Sequence, residues 1–209
     1  SHVGHSHAKI HIAMVQQNLK LNTNTRYLYK IINDYSKKLL DKFPTKLDTI
    51  FFVCTGSEAN DLAYRIAQNY TNSKDVLVMD NAYHGHTNTL INLSPYKFKG
   101  KGGLGKSHYV HIADMPDGLR GRWKYSDKNW INKYIYQVKS LVDKIYKNNK
   151  TLSCFFIESI LGCGGQVTLP PKYLQEVFKI IRKKNALCIV DEVQTGFGRV
   201  GNHFWGFEE

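Results

Sequence analysis

Four short stretches of the chain carry side chains able to do chemistry. Thr55-Gly56-Ser57-Glu58-Ala59-Asn60 places a glycine and a hydroxyl where a helix would begin. A helix N-terminus offers unpaired amides and the positive end of a dipole, so this turn can cradle a phosphate without a Walker lysine. An ordinary helix cap would use the same residues. Asp191-Glu192-Val193-Gln194 closes an apolar run. A carboxylate there costs free energy unless it is paired. One good partner is a protonated ring nitrogen, which an adjacent carboxylate holds in its charged form so that the ring draws electrons. Gln194 would then be placed to reach a phenolic oxygen on the same ring. A metal shared by Asp191 and Glu192, or a helix cap, would also pair the charge. A nucleotide-hydrolysing reading of this Asp-Glu pair fails, because the chain has no G-x-x-x-x-G-K-[ST] loop.

Tyr83-His84-Gly85-His86 supplies an aromatic ring that can stack on a flat cofactor. His84 and His86 have the i,i+2 spacing of some metal sites, but no carboxylate cluster joins them locally, and no metal is expected. Glu158-Ser159 closes another apolar run. His2, His5, His7 and His11 lack cysteine or spaced carboxylate partners and read as loop residues.

The elements that must position these groups follow from hydrophobic periodicity. Ile50–Cys54, Val76–Met79, Tyr109–Ile112, Cys154–Ile157 and Leu187–Val190 read as strands. Ser57–Tyr70, Trp130–Tyr146 and Lys172–Lys184 read as helices, the first capped by Ser57 or Thr55. Alternating strands and helices predict an α/β fold, a mostly parallel sheet with flanking helices. Ligands of such sheets sit beyond the C-terminal strand ends, which is where all four chemical stretches fall.

Composition narrows the function classes. The net charge of +12 comes mostly from lysines spread along the chain, and no nucleic-acid-binding motif gathers them. No apolar run approaches the roughly 18 to 20 residues of a membrane span. Cys54, Cys154, Cys163 and Cys188 form no CxxC pair, which argues against zinc and redox pairs. Cys54, Cys154 and Cys188 lie in apolar runs and are expected in the core, which suits a reducing compartment. Cytoplasm is the expected location. The chain opens on Ser1, its N-terminus reads as missing, and so a mitochondrial location stays open. Residues 1–45 are expected to form a partial N-terminal segment, and 46–209 the first part of a cofactor-binding domain.

Taken together, Gly56-Ser57-Glu58-Ala59-Asn60, Tyr83-His84-Gly85, Glu158 and Asp191-Glu192-Val193-Gln194-Thr195-Gly196-Phe197-Gly198-Arg199 resemble, in order and rough spacing, the class III aminotransferases. These are fold-type-I enzymes that use pyridoxal 5'-phosphate, and the resemblance covers the whole chain. It implies that Gly56 and Ser57 bind the cofactor phosphate, and that Tyr83 and Val193 flank the ring with His84 nearby. Asp191 would pair with the pyridine nitrogen, Gln194 would contact the ring hydroxyl, and Glu158 would orient the site. The family's Schiff-base lysine is expected beyond Glu209, so no lysine here is assigned a catalytic role. Family members often have proline where this chain has Ser159. Asn22–Leu28, Ala82–His86, Ser94–Phe98, Cys163–Gln166 and Gly201–Trp205 look nearest to the branch holding phospho-lyases of O-phosphorylated amines, close to the alanine–glyoxylate aminotransferase 2 group. The resemblance implies an enzyme acting on a small-molecule amine as a homodimer. Its reaction would be amino transfer to a keto acid or, alternatively, release of phosphate and ammonia; the chain taken alone would be non-catalytic. Arg26, with Lys97 and His86, is a candidate for substrate binding.

Overall fold

The computed structural model describes residues 2–209, which divide into two compact units at Phe51/Phe52. The first unit carries helices α1 (Ala8–Lys20) and α2 (Lys30–Leu40). An i,i+4 ion pair joins Lys30 to Asp34 at 2.6 Å, and Lys37 and Lys38 occupy the last turn, where the helix dipole favours cations. Neither helix has a buried residue. His11 lies within α1, so the loop reading does not hold for it.

The second unit is built on a sheet of four strands, β1 (Asp75–Met79), β2 (Val110–Ala113), β3 (Leu152–Glu158) and β6 (Leu187–Asp191). Their order is β2-β1-β3-β6, every pair parallel. Between β3 and β6 lie an antiparallel pair, β4 (Ile160–Leu161) and β5 (Val167–Thr168), and helix α7 (Tyr173–Arg182). Helix α3 (Gly56–Thr71) precedes β1; the short helices α4 (Asn88–Ile91) and α5 (Pro95–Phe98) follow it; α6 (Trp130–Lys147) precedes β3.

The period of two along each strand sorts the core into two layers. Leu77, Met79, Phe155 and Ile157 pack with Tyr134, Val138 and Val142 of α6 and Val177 and Ile181 of α7. Val76, Val78, Cys154 and Phe156 face the other way, onto Tyr64 and Ala67 of α3 and Leu90, Leu93 and Phe98. A parallel strand covered on both faces needs a continuous apolar run, which is why these segments stand out in the sequence.

One expected strand is absent. Ile50–Cys54 forms no ladder among the described residues, and Phe51, Phe52 and Val53 are 64, 45 and 41% exposed. An apolar run becomes a strand only where a neighbouring strand runs alongside to complete a ladder, and among the described residues no strand pairs with this segment. Cys54 is accordingly exposed and not a core residue, Cys154 is buried, and Cys188 is half-buried. No helix of the described residues is long and apolar enough to cross a membrane.

Candidate functional site

Helix α3 begins at the site because its first turn is doubly capped. Thr55 Oγ1 accepts the Glu58 N–H at 3.1 Å, and Glu58 Oε2 accepts the Cys54 N–H at 2.7 Å. Thr55 is therefore the cap, which leaves the Ser57 hydroxyl available to a ligand. The β1–α4 turn packs against this end. Gly85 has φ of +137°, and a Cβ there would stand 2.7 Å from Ser57 Oγ. His86 approaches the same hydroxyl, with Nδ1 3.4 Å away.

Asp191 ends β6, opposite Glu158 at the end of β3. Three donors converge on its buried carboxylate. Oδ2 accepts from Asn60 Nδ2 at 2.7 Å and stands 3.1 Å from His84 Nδ1; Oδ1 accepts the Val193 N–H at 3.1 Å. Asn60 also donates to the His84 carbonyl at 2.9 Å, tying the β1–α4 turn to the same carboxylate. Oδ1, with one donor, has capacity left for another. His84 Nε2 is buried without a partner among the described residues, its ring lying against Phe156 at 4.4 Å.

Glu158 braces both sides of the opening. Its Oε1 accepts the Tyr83 N–H at 3.1 Å and its Oε2 the Gly162 N–H at 3.0 Å. Burial pushes its carboxyl above the ordinary range; His84 and the two N–H groups pull it back, and the neighbouring charge of Asp191 adds to the rise.

These groups border one cavity of about 180 Å³, lined by Gly56, Ser57 and Asn60 of α3, Tyr83 and His84, Glu158, and Asp191, Val193 and Gln194. Every cofactor-contact residue expected from the sequence thus meets in one place. Arg26 lies exposed in the first unit, its N–H on Asn24 Oδ1 at 3.0 Å. Lys97 stands 5.7 Å from the centroid of the Tyr83 ring. Asn60 is the residue whose role the sequence reading missed. Its signal was present: four residues past Gly56 on a helix, it must share that face. Among the described residues no three His, Cys, Asp or Glu side chains gather as a metal site requires.

The arrangement has a hydroxyl and the first amides of a helix at one end, and a carboxylate with an open lone pair at the other. The family model described as Aminotransferase class-III matches residues 1–208. The chain belongs to the class III aminotransferase family. It is 40% identical over 211 residues to alanine–glyoxylate aminotransferase 2-like of Drosophila melanogaster, covering 100% of this chain and 43% of that protein. Identity to ethanolamine-phosphate phospho-lyase homolog 1 of Caenorhabditis elegans is 38%, covering 99% and 46%. Among solved structures, a phospholyase from Arthrobacter in complex with phosphoethanolamine superposes with a TM-score of 0.88 at 32% identity, over 99% of this chain and 48% of that one. An amine transaminase from an uncultivated Pseudomonas species, solved in its PLP-bound form, gives 0.86 at 22% identity and shows the fold alone. The chain spans less than half the length of these relatives.

Proposed function

We propose that this chain forms the greater part of a pyridoxal 5'-phosphate site in an enzyme acting on a small amine. The observation that carries the reading is the hydrogen bond from Asn60 to Asp191, 2.7 Å long. It fastens the helix whose first turn holds Ser57 to the carboxylate at the far end of the same cavity, so one molecule with an anionic tail and a cationic ring nitrogen meets both. When bound, that cofactor draws electrons from the carbon next to the substrate nitrogen. Ser57 and the Gly56 turn hold its phosphate. Asp191, kept in place by Asn60, His84 and the Val193 N–H, keeps the ring nitrogen protonated. Tyr83 and Val193 flank the ring and Gln194 bonds its hydroxyl. Glu158 fixes the Tyr83 and Gly162 backbones on either side. Arg26 stands as a candidate for binding substrate.

Amino transfer to a keto acid is the activity we assign, with a homodimer as the working form and the cytoplasm or mitochondrion as the location; the human alanine–glyoxylate aminotransferase 2 relative, 36% identical, is named mitochondrial. A second reading, elimination of phosphate from an O-phosphorylated amine, is favoured by the 38% identity to ethanolamine-phosphate phospho-lyase homolog 1 and the 32% identity to the Arthrobacter phospholyase. Incubating the full-length protein with O-phosphoethanolamine, and separately with alanine plus a keto acid, decides between them. Phosphate release without keto acid establishes the lyase; amino transfer without phosphate release removes it. The cofactor assignment is tested by titrating pyridoxal 5'-phosphate into the dialysed protein and following absorbance, where absence of binding refutes it.

A further inference from the structure

Glu158 and Asp191 face the cavity, and the residues that follow them, Ser159 and Glu192, meet on the other side of the strand ends. Glu192 Oε1 accepts from Ser159 Oγ at 2.8 Å and from the Phe207 N–H at 2.9 Å; Oε2 accepts from Thr195 Oγ1 and from the Gly206 N–H, both at 2.9 Å. Ser159 Oγ and Thr195 Oγ1 are themselves 2.7 Å apart. Ser159 and Thr195 are about 95% buried. Three oxygen–oxygen contacts share two hydroxyl hydrogens, so one hydroxyl donates to the other or divides its hydrogen between two acceptors. Charge-assisted bonds of this kind are stronger than neutral ones, and losing the acceptor strands several buried donors together.

We infer that Glu192 is a positioning residue for the cofactor site. Its carboxylate ties the end of β3, the turn after β6 and the 206–207 backbone into one unit, and that turn carries Val193 and Gln194 to the cavity. Loss of the carboxylate frees the turn to rotate about Asp191, which draws Gln194 and Val193 away from a bound ring. The inference rests on the pyridoxal 5'-phosphate reading.

The test uses full-length Glu192→Gln and Ser159→Ala, with Asp191→Asn as the control. Two quantities are read: hydrogen exchange at the Gly206 and Phe207 amides, and the cofactor dissociation constant from absorbance. In Glu192→Gln an amide N–H₂ faces two of the former donors. Exchange at both amides should quicken at least about tenfold, and the dissociation constant should rise about tenfold, the scale of one charge-assisted hydrogen bond. Ser159→Ala should raise the constant by about threefold, and it carries the test if Glu192→Gln does not accumulate folded. Faster exchange with unchanged cofactor affinity would reduce Glu192 to an anchor for the 206–207 loop and overturn the inference. Unchanged exchange would overturn it as well. If Asp191→Asn also leaves affinity unchanged, the cofactor reading falls and takes this role with it.

Discussion

The two ends of the parallel sheet each hold a carboxylate beside a histidine, and they differ in what is left over. At the N-terminal end, Asp75 opens β1, and its Oδ1 lies 2.7 Å from His111 Nε2 and 3.2 Å from Lys150 Nζ. Its own backbone carbonyl accepts from Ser153 Oγ at 2.8 Å. Side chains of this chain neutralise that charge. At the C-terminal end, Asp191 is held by an amide, a backbone N–H and a histidine, and among the described residues no lysine or arginine pairs with it. The first carboxylate is closed by its neighbours. The second is fixed in direction but keeps an oxygen facing a cavity, an arrangement that suits the proposed pairing with a protonated ring nitrogen.

The strongest way to break this contrast is to neutralise each acid in turn. In the full-length protein, Asp191→Asn should lower turnover by at least about a hundredfold, the scale of removing one charge-stabilising group from a buried site. Asp75→Asn should leave turnover within about twofold and cost only about 1 kcal/mol in urea unfolding, the scale of a partly exposed ion pair. Equal losses from the two changes would erase the distinction.

Gly56→Ala tests the close approach at the open end. Its new Cβ would stand 2.7 Å from Val193 Cγ2, so Val193 must shift. Overpacking of this kind costs about 1–3 kcal/mol, and cofactor titration should show an affinity loss of about tenfold or more. Ser57→Ala removes one hydroxyl and should raise the dissociation constant by about tenfold with little change in unfolding free energy.

A smaller effect appears in the pH dependence of stability. Burial raises the folded-state pKa of Glu158 above its unfolded value. Its contribution is therefore most favourable below the unfolded pKa and is lost as pH rises through the folded pKa. Against Glu158→Gln, the native protein should lose stability between acidic and neutral pH; paired urea titrations at the two pH values read the difference. A difference of opposite sign would mean that the two N–H donors on Glu158 outweigh its desolvation.

Thiol labelling gives the finest comparison. In the 209-residue chain, iodoacetamide at mildly alkaline pH should modify exposed Cys54 first. Cys154 and Cys188, whose thiols burial pushes up to about 12, should stay unlabelled until the protein unfolds. Mass spectrometry of the digested protein reads the order.

Much of this was legible in the sequence, for a local reason. The strands β1 and β3 are buried on both faces and β6, at the sheet edge, is half-buried on both; each carries an unbroken apolar run, and a polar residue closing it marks the C-terminal end. The reading failed at Ile50–Cys54, which has the same apolar character but joins no ladder among the described residues. Composition reports what a segment prefers to bury, not whether a second strand lies alongside it.

By itself the sequence determined which residues stand at strand ends, because strand and helix periods are properties of a few consecutive side chains. Only the tertiary structure decided that Asn60 and His84 grip Asp191, that Glu158 spans Tyr83 and Gly162, and that Glu192 serves the opposite side of the same turn. These contacts join residues up to 131 positions apart. Their geometry follows from the parallel register of β3 and β6 and the packing of α3 against the sheet, which local periodicity does not encode.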